Sequence, residues 1–311
     1  MNKCPITYEP CGEASYSTKG VRLLSPQLRG LKVLRFTALE LRQQAAARAG
    51  KMSIQGVQPK LSARLKIKNK QFEIVDLRGN YILKPPSDSY PQVPENEDLS
   101  MKLAHIVGIE VPIHGLVYAK DGSFTYFIKR FDRYGRNKKY ALEDFAQLTG
   151  SHRDTKYKWS MEKLLPVIEQ HCSFPALEKL KLFRRVIFCF LTGNEDMHLK
   201  NFSLITRENI TTLSPAYDLL NSTLLTSTQE ELALPLHGKK SKLKAEDFID
   251  YYAKSRMGLN KGSIQKVLNV FIRQETSIKQ LIHRSFLSTD LQERYLSIFT
   301  ERMKRLSLKK I

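Results

Sequence analysis

Long apolar runs are missing from this sequence. The longest, Val186-Ile187-Phe188-Cys189-Phe190-Leu191, falls far short of the ~20 residues that a bilayer span needs. With Lys181, Arg184 and Arg185 just before it, it reads as a buried helix. The N-terminus, Met1 to Pro5, carries one lysine and no apolar stretch follows, so no secretory leader is expected and the cytoplasm is the expected location. Cysteine is scarce, with 4 residues and no CxxC pair. Cys172 and Cys189 lie far from Cys4 and Cys11, so no tetrahedral zinc site can close; reduced structural thiols are expected, with a two-cysteine remnant of a metal knuckle as the lesser alternative. No Gly/Ser-rich tract, acidic tract or repeat interrupts the chain, which excludes an array or an extensive disordered region.

Acidic residues are also in short supply. Against 31 Asp and Glu stand 51 Lys and Arg, a formal net charge of +20. Such a surplus favours polyanions or acidic protein surfaces without specifying which. The basic residues are scattered, with clusters at Lys239-Lys240 to Lys244 and Lys304-Arg305 to Lys310, and solvated faces explain them as well as a DNA surface does. At 311 residues the chain is long enough for two cores.

Thr37 and Glu40 form a capping-box pattern at the head of an alanine-rich helix that ends near Gly50. Alternation predicts strands over 61–67, 72–75 and 81–84, a helix from Pro94 to Ile106, and a hairpin over 113–128 turning at Asp121-Gly122. Beyond residue 132 helical spacing dominates, at 145–148, 160–168, 177–190, 244–252, 264–272 and 290–305, with one β interval at 202–205 and 211–213. The order implies an α+β fold with a β-rich N-terminal lobe over 1–128 and a mostly helical C-terminal lobe over 129–311.

One stretch carries chemistry. Gly193-Asn194-Glu195-Asp196-Met197-His198-Leu199-Lys200-Asn201 is followed, after a short hairpin, by Tyr217-Asp218. Phosphoryl transfer asks for a carboxylate to orient and deprotonate a hydroxyl, and for hard oxygens to hold Mg²⁺ against phosphates. Asp196, Asn201 and Asp218 supply that set. Any one alone is equally an ordinary turn residue; the three together in this order point to the chemistry.

Asp-x-His-x-Lys-Asn followed by Tyr-Asp resembles the HipA kinases, remote relatives of protein and phosphoinositide kinases. Other segments match in the family's order. Ser53-Ile54-Gln55-Gly56-Val57-Gln58-Pro59-Lys60 resembles the phosphate-binding loop, Tyr81 to Pro85 the strand of the ATP lysine, Lys129-Arg130-Phe131-Asp132-Arg133 the hinge, and Glu143-Asp144-Phe145-Ala146-Gln147 the family's Glu-Asp-x-x-Gln segment. The resemblance implies a bilobal, protein-kinase-like fold and a serine/threonine kinase using ATP and Mg²⁺ in a cleft between lobes. Lys84 then carries charge to the phosphates, with Glu97, or Glu95 in its place, as counter-ion. Lys129, Phe131 and Asp132 belong to the adenine hinge, Phe131 being equally a core aromatic. His198 ties down the loop, Lys200 neutralises the transferred group, and Ser53 is the site of inhibitory autophosphorylation.

In full-length HipA proteins a subdomain precedes the phosphate loop, and Ser53 comes too early for it to fit. The resemblance is therefore to short HipT-type kinases, and implies a HipS-like small partner, a HipB-like helix-turn-helix antitoxin, only indirect contact with operator DNA, and an aminoacyl-tRNA synthetase as substrate, the tryptophanyl enzyme favoured. No membrane partner is expected. The rival readings are a kinase of small molecules or lipids, a nucleic-acid-binding module and a pseudokinase scaffold.

Overall fold

A computed structural model of the chain describes residues 2–48, 58–135, 137–151, 157–226 and 229–308. Ser53, Ile54, Gln55, Gly56 and Val57, on which the phosphate-loop and autophosphorylation expectations rest, lie outside the described residues. The chain divides into two compact units: Met1–Leu99, Pro112–Lys138 and Arg284–Leu287 form one, and Ser100–Val111, Lys139–His283 and Ser288–Ile311 the other.

The first unit is built on an antiparallel sheet of five strands, in the order Gln71–Ile74, Leu61–Lys66, Tyr81–Lys84, Phe124–Lys129, His114–Tyr118. The period-2 alternation of strand side chains divides it into two chemically distinct faces. Leu61, Ala63, Tyr81, Leu83, Val117 and Phe127 point to one side, where they join Val21 and Leu24 of helix Thr18–Leu24 and Leu41 and Ala45 of helix Ala38–Arg48 in a single apolar core. Phe72 packs at 5.0 Å from the Tyr81 ring and 5.3 Å from Phe127. Gly115 makes this possible: a Cβ there would lie 2.9 Å from the Phe127 ring. Thr37 and Glu40 close the expected capping box, the Thr37 amide donating to Glu40 Oε2 at 2.7 Å and the Glu40 amide to Thr37 Oγ1 at 3.2 Å.

The opposite face carries polar groups. Lys84 pairs with Tyr126, and His114 with Ile128, in the ladder, so Lys84, Tyr126 and His114 share a side. Residues 93–99, the first turns of helix Val93–Ile106, supply the acids that meet them.

In the second unit, helices Leu164–His171, Pro175–Leu191, Lys261–His283 and Thr289–Arg305 surround an apolar centre. Pro175 starts the second of these at a position where its missing N–H costs nothing. Leu182, Phe183, Val186, Ile187, Phe188, Phe190 and Leu191 are all buried, so the longest apolar run is the core of this unit; each such side chain stabilises it by about 1.5–3 kcal/mol. Among the described residues no helix is long and apolar enough to cross a membrane. A three-stranded sheet, Ala141–Asp144, Ser203–Arg207 and Ile210–Leu213, flanks the helices.

Three expectations change. The first strand of that small sheet was not anticipated; it pairs Asp144 with Ser203. The spacing over 244–252 belongs to a π-helix, Asp247–Arg256, and that over 264–272 to a 23-residue helix, Lys261–His283. All four cysteines are free, and Cys4 is packed into the first unit's core. No cluster of three or more His, Cys, Asp or Glu able to hold a metal occurs among the described residues.

Candidate active site

In the first unit the strand Tyr81–Lys84 ends on Lys84, whose ammonium lies 2.5 Å from Glu97 Oε1, with side-chain exposures of 3% and 2%. Glu97 and not Glu95 is therefore the counter-ion. The ammonium also stands 5.6 Å from the centroid of the Tyr126 ring. The next residue on the helix, Asp98, accepts or shares a proton with His114 Nδ1 at 2.7 Å, and both are buried. Consecutive acids thus grip two strands that flank Phe124–Lys129 on either side. Glu95 is the odd member: its Oε2 is buried with no hydrogen-bond partner among the described residues, and burial, with the nearby Asp98 charge as a smaller cause, pushes its carboxyl up to about 7.

The segment expected to serve as hinge is tightly committed to the protein itself. The Lys129 amide donates to Ile113 O at 2.7 Å and the Arg130 amide to Asn80 O at 2.9 Å. Asp132 is buried, and its carboxylate holds Arg130 at 2.8 Å and Arg133 at 3.1 Å. Phe131 is half-buried. Of the phosphate-loop residues that are described, Gln58 buries its Nε2 without a hydrogen-bond partner among the described residues, and Lys60 is half-buried.

The second unit holds the remaining groups. Helix Pro175–Leu191 is capped by Thr192, and Gly193 then reverses the chain at φ +71°, where a Cβ would fall 2.6 Å from Asn221 Oδ1. From this turn the loop runs Asn194 to Asn201 and is fastened at both ends. Glu195, buried, receives Arg302 at 3.4 Å and the Thr223 hydroxyl at 2.5 Å, while its amide donates to Ser222 Oγ at 2.7 Å. Asn201 donates from Nδ2 to the Asp196 carbonyl at 2.9 Å, which leaves its Oδ1, a hard acceptor, for other use. His198, buried, accepts the Lys200 amide on Nδ1 at 3.3 Å. That bond places the neutral ring's proton on Nε2, which lies 4.0 Å from Asp196 Oδ1. The imidazole thus bonds to the backbone of its own loop.

Asp196 itself is 56% exposed. Its Oδ1 accepts the Tyr157 hydroxyl at 2.5 Å, and the Tyr157 and His198 rings meet edge to face at 5.0 Å. Partial burial, then the Asp196 carboxylate, pushes the tyrosine hydroxyl well above its ordinary value. Asp218 follows the hairpin in a left-handed conformation, φ +54°, a backbone state that costs a non-glycine residue of order 1–3 kcal/mol and gathers at functional sites. Its neighbour Tyr217 donates to the Lys200 carbonyl at 2.9 Å and takes the Ser203 hydroxyl on its oxygen. The residue before Asp218 is thereby tied to the residue before Asn201.

Two features of this unit were missed. Asp144 and Gln147 of the Glu-Asp-x-x-Gln segment form a capping box on helix Phe145–Leu148, and the Phe145 amide donates to Phe202 O at 2.9 Å beside the loop's end; the Asp144 spacing alone could have shown this. The Tyr157 and Arg302 contacts span 39 and 107 residues and leave no local trace.

These arrangements can be set beside known proteins. Residues 52–279 match the model of the HipA-like C-terminal domain. A Haemophilus influenzae protein named "Putative kinase" is 30% identical, the alignment covering 99% of this chain and 98% of that protein. The serine/threonine-protein kinase toxin HipA of Shewanella oneidensis is 26% identical over 60% of this chain, which spans only about half, 47%, of the toxin's length. Among solved structures, the complex of the Shewanella oneidensis MR-1 toxin–antitoxin proteins HipA and HipB with operator DNA superposes with a TM-score of 0.71 at 20% identity, covering 90% of this chain and 73% of that one. The fold is therefore α+β, as the order of elements implied, and kinase-like, as the resemblance implied, and the chain belongs to the family of the HipA-like C-terminal domain.

Proposed function

We propose that the chain is an ATP- and Mg²⁺-dependent serine/threonine protein kinase, the toxin of a toxin–antitoxin pair acting in the cytoplasm. The observation that carries this reading is the loop Asp196 to Asn201. It holds an exposed carboxylate and an inward-facing amide in fixed relation through one side-chain-to-backbone bond. Asp196 is the general base for an acceptor hydroxyl, a role that needs a carboxylate with room for a substrate. Asn201 Oδ1 and the Asp218 carboxylate are the protein's ligands for Mg²⁺.

That donor set fits the ion. Mg²⁺ favours oxygen ligands and is bound through one or two carboxylates together with phosphates and waters, so a full protein cage is not needed. When bound, it would neutralise charge on the phosphates. Lys84, oriented by Glu97, is assigned to the α- and β-phosphates, and Lys200 to the γ-phosphoryl group. His198 holds the loop. Lys129, Phe131 and Asp132 retain the hinge assignment, with the ion pairs of Asp132 serving to stiffen the segment. Gln58 and Lys60 retain theirs in the phosphate loop, with Ser53 as the autophosphorylation site.

The partners follow from the relatives. A HipB-like antitoxin, through which operator DNA is approached, is supported by the HipA–HipB–DNA complex. A HipS-like small protein and an aminoacyl-tRNA synthetase substrate are the further assignments, suggested by the resemblance to short kinases of this family.

The test follows γ-labelled ATP. The unmutated chain should be thermally stabilised by ATP with Mg²⁺, Asp218→Asn should not, and label should reach serine or threonine of a protein. Label confined to lipid or small molecules would replace the reading with another kinase class. A melting temperature unmoved by ATP and Mg²⁺ would leave a scaffold.

A further inference from the structure

In the second unit, one hydrogen bond has no part in the reading just given. Tyr157 Oη donates to Asp196 Oδ1 at 2.5 Å, and the edge-to-face contact with His198, at 85° between ring planes, fixes the direction from which the tyrosine arrives. Both partners are solvent-accessible, Tyr157 at 41% and the Asp196 side chain at 56%, so the contact is not a by-product of core packing. Among the described residues no other side-chain hydroxyl hydrogen-bonds to the Asp196 carboxylate.

A general base must lie within hydrogen-bond reach of the proton that it takes, and a nucleophile within reach of its base. Tyr157 meets both conditions toward Asp196. We propose that Tyr157 is a phosphate acceptor of the chain itself: its hydroxyl, hydrogen-bonded to Asp196, stands where an acceptor hydroxyl must stand and receives the γ-phosphoryl group in cis. The inference rests on the kinase reading above and adds to its serine and threonine acceptors one tyrosine hydroxyl, held in place within the chain itself.

In the transfer, Tyr157 Oη attacks the γ-phosphorus of ATP and forms the new P–O bond. Its proton passes to the Asp196 carboxylate. The bond from the γ-phosphorus to the β,γ-bridging oxygen breaks, and ADP leaves with that electron pair. Asp196, open to solvent, then gives that proton up to water, and the product has a phosphate of nearly two negative charges beside a carboxylate. Repulsion then separates the two groups and clears Asp196 for an external hydroxyl. Before modification Tyr157 fills the acceptor place, so a lag in phosphorylation of any added protein is expected, ending as Tyr157 becomes modified.

The experiment uses the full chain, treated with phosphatase, repurified and incubated with ATP and Mg²⁺, then analysed by intact mass and peptide mapping. Phosphotyrosine at 157 should appear with a rate constant unchanged by dilution of the protein. It should be lost entirely in Asp196→Asn, including when that variant is mixed with unmutated chain. Asp196 is exposed, so this substitution leaves the fold intact, and the mixing arm reads the variant as acceptor only. Phosphate found on other residues or on an added protein while Tyr157 stays unmodified would overturn the inference and leave the kinase reading standing. Labelling of Tyr157 in the mixed Asp196→Asn chain would overturn transfer in cis. Absence of phosphate anywhere, together with no thermal shift by ATP and Mg²⁺, would overturn both.

Discussion

Replacing Glu97 by Gln removes the carboxylate from a pair that is almost wholly out of water, with Lys84 and Glu97 at 3% and 2% exposure and 2.5 Å apart. Breaking a buried pair from one side costs about 3–5 kcal/mol, because the remaining charge keeps its desolvation penalty. Neutralising the lysine at pH 7 instead costs about 4–5 kcal/mol, the free energy of moving its pKa from its ordinary value to 7. The Tyr126 ring at 5.6 Å returns only about 0.5–2 kcal/mol. The net loss expected for Glu97→Gln is thus about 3 kcal/mol, a large share of the roughly 5–15 kcal/mol that holds a domain folded. The double variant Lys84→Met, Glu97→Leu removes both charges and should recover most of the stability while losing affinity for ATP and Mg²⁺. Urea unfolding followed by circular dichroism, with ATP titration of each variant, reads both quantities. A single-variant loss under about 1 kcal/mol, the value of an exposed pair, would refute the burial argument. A double variant that binds ATP as tightly as the unmutated chain would refute the role given to Lys84.

Three further outcomes follow. Asp196→Asn should lower phosphotransfer by roughly 10²–10⁴ with unchanged urea midpoint, since that side chain is 56% exposed; a matching loss of stability would mean that the aspartate is structural. Glu95 is raised from 4.5 to about 7 in the folded chain, so the folded state holds the extra proton and stability falls as pH rises from about 4.5 to 7. Glu95→Gln should flatten that slope and gain up to about 3 kcal/mol above pH 7, and an unchanged pH profile would contradict the burial of this carboxyl. Gly193→Ala forces a Cβ against Asn221 at positive φ and should cost more than about 1 kcal/mol while weakening phosphotransfer; a silent substitution would show that the loop does not depend on this turn.

The parts of the fold that could be read in advance are those governed by local rules. The strand ending at Lys84 and the helix over 93–106 follow from alternation, a proline start and glycine at Gly108, and both lie within a residue of their expected bounds. The Thr37 and Glu40 box needs only a spacing of three. The strand Ala141–Asp144 was hidden because half its residues are exposed and it contains two acids, so only its partner Ser203–Arg207 identifies it. Most of helix Lys261–His283 was also hidden, polar residues interrupting its apolar spacing. At the site, residue types and order were legible, whereas the choice between Glu95 and Glu97 depended on which side of a helix turn faces Lys84. The anchors Tyr157 and Arg302 come from distant segments, and only folding brings them to Asp196 and Glu195.

The central claim is that Asp196 drives transfer of phosphate from ATP to protein hydroxyls. Intact mass of phosphatase-treated chain, recorded before and after ATP and Mg²⁺, tests it most directly. The account predicts added phosphoryl mass on the unmutated chain and none on Asp196→Asn; equal gains on both, or none on either, would contradict it.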